Sequence, residues 1–302
     1  MAAIGAYLRL MRPANIVTAI ADIMMGFAAS GALYSITLWD NGFMPEYLQP
    51  LGWLVLATIG LYGGGVVFND VFDAELDRIE RPERPIPSGK ASITGASLLG
   101  AILLAGGILA AWQVSVVSAA IALTVALLAL LYDWKGKHNK LLGPVNMGAC
   151  RGGNLLLGVS AIPAMVENLW FIAFIPIVYI AAITMVSRGE VHGGNTAALK
   201  GALLMYLLVF AGICSLAVLP QFNLIYSIPF LLLFAYLIFP PLVRAMPAKE
   251  PQLIMKAVKA GILSLIVMNA SIAAGFAGWQ YGLIVLLLLP VSLYIARNFS
   301  VT

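Results

Sequence analysis

The sequence predicts an all-α polytopic membrane protein. The expected bundle has nine core transmembrane helices and a tenth at the C-terminus, in one domain over residues 1–302. Three observations predict it. The chain is 62% hydrophobic and only 10% charged, with a mean hydropathy of +0.97, too little polar cover for a water-soluble surface. The apolar residues come in runs close to the ~20 residues that span a bilayer. The charges fall on alternate connections: every Lys and Arg lies on one side.

The runs are 16–36, 51–68, 91–112, 114–131, 144–162, 169–186, 202–219, 224–243, 260–278 and 283–296. The connections around 37–50, 113, 163–168, 220–223 and 279–282 hold no Lys or Arg and carry Asp40, Glu46 and Glu167 instead. The positive-inside rule makes the basic side cytoplasmic. The expected location is the cytoplasmic membrane, multi-pass. The tenth run contains Pro290, but ending the bundle at nine would strand Arg297 outside, against that rule.

In the first run Asn15, Thr18 and Asp22 stand at i, i+3 and i+7 and give the helix one polar stripe. Asp22 argues against a signal peptide. A carboxylate at that depth faces a cavity or a partner. We expect the stripe to line an internal cavity; the alternative is a helix–helix hydrogen bond.

The second run has no charge from 51 to 68 and then ends in Asn69, Asp70, Asp73, Glu75 and Asp77. Asn69, Asp73 and Asp77 recur every fourth residue, so a helix places them on one face about a turn apart. Carboxylates that close repel, and their position opposes the helix macrodipole. A divalent cation removes the repulsion. Oxygen ligands of this kind suit Mg²⁺ shared with a phosphate. The plainer alternative is a solvated acidic helix end.

The segment 78–90 follows, with Arg78, Arg81, Arg84 and Lys90 among three prolines. It is expected to be a stiff, non-helical loop. It is either a topological anchor or a cationic lid over an anion, a task for which arginine is suited. The next basic connection, 132–140, sets Tyr132 and Trp134 at the interface beside Lys135, Lys137, His138 and Lys140. In the fifth run Arg151, near Asn146 and Asn154, either snorkels outward or turns inward toward phosphate, with Gly148, Gly152 and Gly153 allowing close helix approach. The connection 187–196 is polar and Gly-rich, and Glu190, His192 and Asn195 are candidates for a second metal or phosphate site. The stretch 244–259, with Pro247 and Pro251, reads as a loop. Cys150 and Cys214 read as buried apolar residues and not as a disulfide. No nucleic-acid module, Walker A loop, nucleophile elbow or zinc spacing is present.

The pattern Asn69-Asp70-x-x-Asp73-x-x-x-Asp77 resembles the first aspartate-rich motif of the UbiA superfamily of intramembrane prenyltransferases. The Arg81-Pro82-x-Arg84-Pro85 segment is similar to the loop that follows it there, as are Arg12-Pro13-x-Asn15 and Tyr132-x-x-Lys135 to other family features. The resemblance covers nearly the whole chain. It implies a bundle around a cavity open to lipid, and Mg²⁺-dependent transfer of a prenyl group from a prenyl diphosphate to a lipophilic, often aromatic, acceptor. By position, it implies that Asn69, Asp70, Asp73 and Asp77 hold Mg²⁺–diphosphate. Arg81, Arg84, Lys135 and Arg151 would neutralise phosphate, and Tyr132 and Asn15 would line the substrate site. Where the family carries a second aspartate-rich run, this chain has Arg188, Glu190, His192 and Asn195. Glu190 is the acid left to hold a second metal, with Asn195 as a neutral ligand and Arg188 or His192 in place of a metal's charge. That departure is similar to the divergent UbiA-like branch of Ebo-type gene clusters.

An allylic cation would gain from aromatic faces nearby, for which Phe68, Phe72 and Tyr132 are candidates. Two other readings share the scaffold: a transferase for a phosphosugar donor, and a non-catalytic carrier or exporter of a lipophilic metabolite.

Overall fold

The computed structural model describes residues 2–35, 48–136, 139, 142–187, 196–248 and 250–298. Among them are helices and turns but no strand. The helices are α1 (Ala2–Leu10), α2 (Pro13–Ala29), α3 (Gln49–Phe72), α4 (Ala74–Glu80), α5 (Ile93–Trp112), α6 (Val116–Trp134) and α7 (Leu142–Val159). They continue as α8 (Pro163–Leu169), α9 (Phe174–Ser187), α10 (Thr196–Ser215), α11 (Leu224–Ala248), α12 (Pro251–Ala277), α13 (Trp279–Leu286) and α14 (Leu288–Asn298).

Among the described residues, each of the ten apolar runs lies mostly on helix. Among the described residues, eight helical stretches are long and apolar enough to cross a membrane. Helix α2 is apolar but has 17 residues, and α7 carries Asn146, Arg151 and Asn154. These two are the polar-striped helices, and both are largely buried. A helix facing other helices can hold polar groups that one facing lipid cannot.

Local chemistry sets several boundaries. Ser92 begins α5 by accepting the Gly95 amide at 3.0 Å, and Ser115 begins α6 by accepting the Ser118 amide at 3.0 Å, the side-chain capping expected of serine. Helix α2 stops at Ser30, and Gly31 follows with φ +80, so the first run is shorter than its apolar stretch. The 78–90 segment, expected to be non-helical, is so from Arg81 onward, where its prolines lie, while residues 78–80 form the end of α4.

The stretch 244–259, expected as a loop, is helical on both sides of residues 249–250. Pro251 stands at the first turn of α12, where its missing N–H costs nothing, and Pro247 falls in the last turn of α11. The tenth run is helix broken at Leu287, between α13 and α14.

Helices α2 and α7 join two halves of the bundle. On one side, α2, α7 and α9 to α13 share an apolar core that includes Met25, Leu155, Tyr179, Phe234 and Met268. On the other, α3, α5 and α6 pack around Leu54, Leu61, Leu104 and Val125, with Ile23 and Leu157 reaching in from α2 and α7. A third cluster of Leu10, Val67, Ala74, Ile86, Ala91 and Ala96 seats the Arg-Pro loop on the ends of α1, α3 and α5. Helices α2 and α7 touch backbone to backbone: a Cβ on Gly26 would collide with Leu155 O. That contact lets side chains beside it meet across the interface.

Candidate active site

A cavity of about 590 Å³ lies between α2, α3, α4, α6, α7, α9 and α12. Its lower wall is apolar, with Leu61, Val66, Val125, Ile180, Ile183, Ile262 and Leu265. Its mouth is polar, with Asn69, Asp73, Asp77, Arg81, Arg84, Tyr132 and Asp133.

The acidic motif is built on a helix with a one-residue break. Helix α3 ends at Phe72, Asp73 caps it, and α4 begins at Ala74. The backbone ladder continues across the break: the Asp73 amide donates to Asn69 O at 3.0 Å and the Asp77 amide to Asp73 O at 2.8 Å. Asn69, Asp73 and Asp77 therefore keep the common face their spacing predicts, and all three line the cavity.

Asp70 does not. One residue on from Asn69, it is turned about 100° round the helix. It faces Arg12 Nη2 at 2.9 Å and Arg84 Nη1 at 3.3 Å. It lines a second, smaller pocket of about 360 Å³ with Arg9, Arg12, Arg81, Glu83, Arg84 and Lys90. Arg84 also donates to Asp77 Oδ2 at 2.6 Å. One guanidinium from the Arg-Pro loop thus bridges two buried acids of the motif. Arg81 lines both pockets.

Asp133 is a site residue that the sequence did not single out. It is buried at the end of α6 and accepts the Asn69 amide at 2.8 Å. The signal was its place beside Tyr132 at the end of a charge-free run. Lys135, two residues on, does not enter the cavity wall. It is exposed, with Nζ 4.4 Å from the centre of the Trp134 ring. Helix α6 has ended by then, so the side chain follows the turn outward.

Of the aromatic candidates, Tyr132 lines the cavity. Phe72 is exposed, and Phe68 packs toward Gly100 of α5. Tyr62, two turns before Asn69, is the other ring in the wall.

Deeper in the cavity, Asn15 and Thr18 line the wall as expected, but Asp22 is a helix–helix partner. Its Oδ2 lies 3.2 Å from Arg151 Nε and 3.1 Å from Asn154 Nδ2, and its Oδ1 accepts from Asn269 Nδ2 at 2.7 Å. Arg151 turns inward and donates to Thr18 Oγ1 at 2.9 Å. Asn154 is held by the Thr58 hydroxyl at 2.7 Å. Arg188, Glu190, His192 and Asn195 lie outside the described residues, as do Lys137, His138 and Lys140. Cys150 and Cys214 are free thiols, Cys150 half-buried and Cys214 exposed.

The charges test whether Mg²⁺ fits. Among the described residues of the large cavity, four arginines (Arg12, Arg81, Arg84, Arg151) face four carboxylates (Asp73, Asp77, Glu80, Asp133). A bare diphosphate would leave this wall strongly negative, and one that carries its own cations would not. No three His, Cys, Asp or Glu side chains among the described residues are grouped closely enough to cage a metal. The oxygen donors Asn69, Asp73 and Asp77 fit a hard cation that phosphate oxygens complete, the usual habit of Mg²⁺.

A profile of the UbiA prenyltransferase family matches residues 24–257. The digeranylgeranylglyceryl phosphate synthase of Methanoculleus marisnigri is 31% identical over 194 residues, which cover 63% of this chain and 64% of that protein. The chain thus matches less than two-thirds of that relative's length. A solved structure of a digeranylgeranylglyceryl phosphate synthase has the same fold, with a TM-score of 0.67 at 22% identity, covering 92% of this chain and 99% of the other. A UbiA homolog from Archaeoglobus fulgidus, bound to GPP and Mg2+, matches with a TM-score of 0.53 at 15% identity, covering 93% of this chain and 99% of the other.

Proposed function

The chain belongs to the UbiA prenyltransferase family, and from that premise we propose that it transfers a prenyl group from a prenyl diphosphate to a lipophilic acceptor within the membrane. One observation carries the proposal. Asn69, Asp73, Asp77, Arg81 and Arg84 share the mouth of a cavity whose remaining wall is mostly apolar. A prenyl diphosphate joins a highly charged head to a long apolar tail and so matches both parts of this wall.

Asn69, Asp73 and Asp77 would hold Mg²⁺ together with the diphosphate oxygens. When bound, Mg²⁺ neutralises the diphosphate and makes it a better leaving group. Arg81 and Arg84 hydrogen-bond the same oxygens as charge moves onto them. The Tyr132 and Tyr62 rings in the cavity wall would favour the positive charge that develops on the allylic carbon. The apolar wall seats the tail and keeps water from that carbon.

The A. fulgidus homolog's ligands, GPP and Mg2+, support the donor and the metal. The relatives are named for a glyceryl phosphate product, and the family resemblance favours an aromatic acceptor. The clustering of Lys and Arg on one set of connections supports a site that opens to the cytoplasm. We take residues 1–302 as one membrane domain.

The test is turnover of a labelled prenyl diphosphate by the purified chain in lipid. We expect turnover to require Mg²⁺ and to be lost in Asp73→Ala and Asp70→Ala, the first through the metal and the second through Arg84. Turnover that both variants leave intact would remove the assignment of the motif.

A further inference from the structure

The side chain of Asn69 is held at one end only. Its Nδ2 donates to Asp133 Oδ1 at 2.8 Å, from α3 to the end of α6. Asp133 is 4% exposed, and both residues stand in the wall of the large cavity. Asn69 Oδ1 accepts no hydrogen bond from the described residues, and it is not one of their sealed, partnerless polar atoms. It therefore keeps open space beside it, and the space that Asn69 borders is that cavity.

The chemistry of the pair fixes which end of the amide points where. A side-chain amide has a donor end and an acceptor end, whereas an ionised carboxylate only accepts. Asp133 can meet Nδ2 and cannot meet Oδ1. The amide cannot turn over without setting two oxygens against each other. A serine or an asparagine in place of Asp133 both donates and accepts, and would leave either orientation open. Asparagine is also the residue that this neighbour requires. An aspartate at 69 would bring two carboxylates into contact, and each would oppose the other's charge.

Asp73 and Asp77 stand one and two turns further along the same face, each turn rising about 5.4 Å. An amide oxygen beside them adds a hard donor of the kind Mg²⁺ takes and adds no charge. The amide nitrogen in the same place would turn its N–H groups on a cation and repel it. It would bond a phosphate oxygen directly instead.

We propose that Asp133 is a positioning residue: it holds the Asn69 amide with its oxygen toward the cavity mouth, so that residue 69 serves a divalent cation and not the diphosphate itself. The inference rests on the reading of the mouth as a Mg²⁺–diphosphate site. It gives Asp133 no contact with the metal.

The test measures binding to the full chain in nanodiscs. Mn²⁺ is the spectroscopic stand-in for Mg²⁺, and a prenyl thiodiphosphate that does not turn over is the diphosphate probe. Mn²⁺ affinity is read with the thiodiphosphate present, and again with inorganic diphosphate in its place. Thiodiphosphate affinity is read without divalent cations. In Asp133→Ala, Mn²⁺ affinity should fall about tenfold or more. The metal-free thiodiphosphate should bind within about threefold of the wild type, or tighter, because the released amide offers it an N–H. A lesion that merely loosened the site would weaken both. Asn69→Leu should also lower Mn²⁺ affinity, and adding Asp133→Ala to it should change little more, because Asp133 acts through residue 69. If Asp133→Ala is not recovered folded, Asp133→Asn carries the same cycle, with a fall of at least about threefold.

Unchanged Mn²⁺ affinity in Asp133→Ala would overturn the proposal, as would a parallel loss of metal-free thiodiphosphate binding. So would an equal fall with and without Asn69, which would make Asp133 a direct or purely electrostatic partner of the metal. If the wild type binds neither Mn²⁺ nor either diphosphate, the prenyl-transfer reading and this inference fall together. If Mn²⁺ binds with inorganic diphosphate and depends on the Asn69–Asp133 pair while the thiodiphosphate does not bind, the prenyl-transfer reading falls and the role of Asp133 stands.

Discussion

Arg12 Nη2 donates to Asp70 Oδ1 over 2.9 Å, from a left-handed backbone at φ 48 and ψ 67. Among the described non-glycine residues, Arg12 alone has positive φ. The contact ties the start of α2 to the end of α3. The conformation costs on the order of 1–3 kcal/mol and persists only where surrounding contacts fix it. Here the fixing contact is an ion pair to a buried carboxylate that cannot be left alone. Because Arg84 grips the same Asp70 and also Asp77, the strap reaches the Arg-Pro loop and the acidic motif together.

Replacing Arg12 separates its side chain from its backbone. Arg12→Ala loses the ion pair and keeps the strained φ. Arg12→Gly loses the pair but adopts that φ freely. Both should unfold below the wild type, and the alanine variant should be the less stable by roughly 0.5–1 kcal/mol. Thermal unfolding in detergent gives the order. An alanine variant as stable as the glycine one would show that the backbone there is not strained.

The acids that line the cavity and the lysine that does not should part in kinetics. Asp73→Asn and Asp77→Asn are expected to cut turnover of a prenyl diphosphate about a hundredfold or more, and chelation of Mg²⁺ should do the same. Lys135→Ala should change it by no more than about threefold, because that side chain is exposed and outside the wall. A Lys135 defect as large as that of Asp73 would mean that the loop closes over the mouth when substrate binds.

Thr58 supports the deep polar network at one remove. Its hydroxyl donates to Asn154 Oδ1 at 2.7 Å, and Asn154 in turn holds Asp22. Thr58→Val keeps the shape and orphans a buried acceptor, which should cost about 1–3 kcal/mol. Thr58→Ser should recover most of it. Equal melting temperatures for the wild type and the valine variant would show the bond to be dispensable.

Two adjacent glycines of α5 make a matched pair. A Cβ on Gly107 would lie 2.8 Å from Ala57 O and 3.0 Å from Leu61 N, whereas one on Gly106 would meet nothing within 4 Å. Gly107→Ala should destabilise by about 1–3 kcal/mol through overpacking. Gly106→Ala should be neutral or stabilising by up to about 1 kcal/mol, from helix propensity alone. If the two behave alike, α3 and α5 do not touch backbone to backbone.

Much of the site could be read along the chain, where the physics is local. A fourfold spacing put Asn69, Asp73 and Asp77 on one face, and it did so even across the break at Asp73. Prolines marked the 78–90 segment as non-helical, which holds from Arg81 onward, and Arg81 and Arg84 come back from it to the cavity mouth. Where two local signals competed, the reading went astray: Pro247 and Pro251 suggested a loop, although proline also fits a helix's first turn.

By itself the sequence determined the class of the molecule, the helical runs and the face shared by three motif residues. Hydropathy and the 3.6-residue turn act over neighbours in the chain, so they leave a mark there. The tertiary structure decided the partners: Asp70 with Arg12 and Arg84, Asn69 with Asp133, Asp22 with Arg151, Asn154 and Asn269. It also decided which face of α3 meets a cavity and that Lys135 points away from it. Those outcomes depend on side chains separated by up to 247 positions. A buried charge takes whichever partner the packing of the bundle brings within reach, and no spacing along the chain encodes that choice.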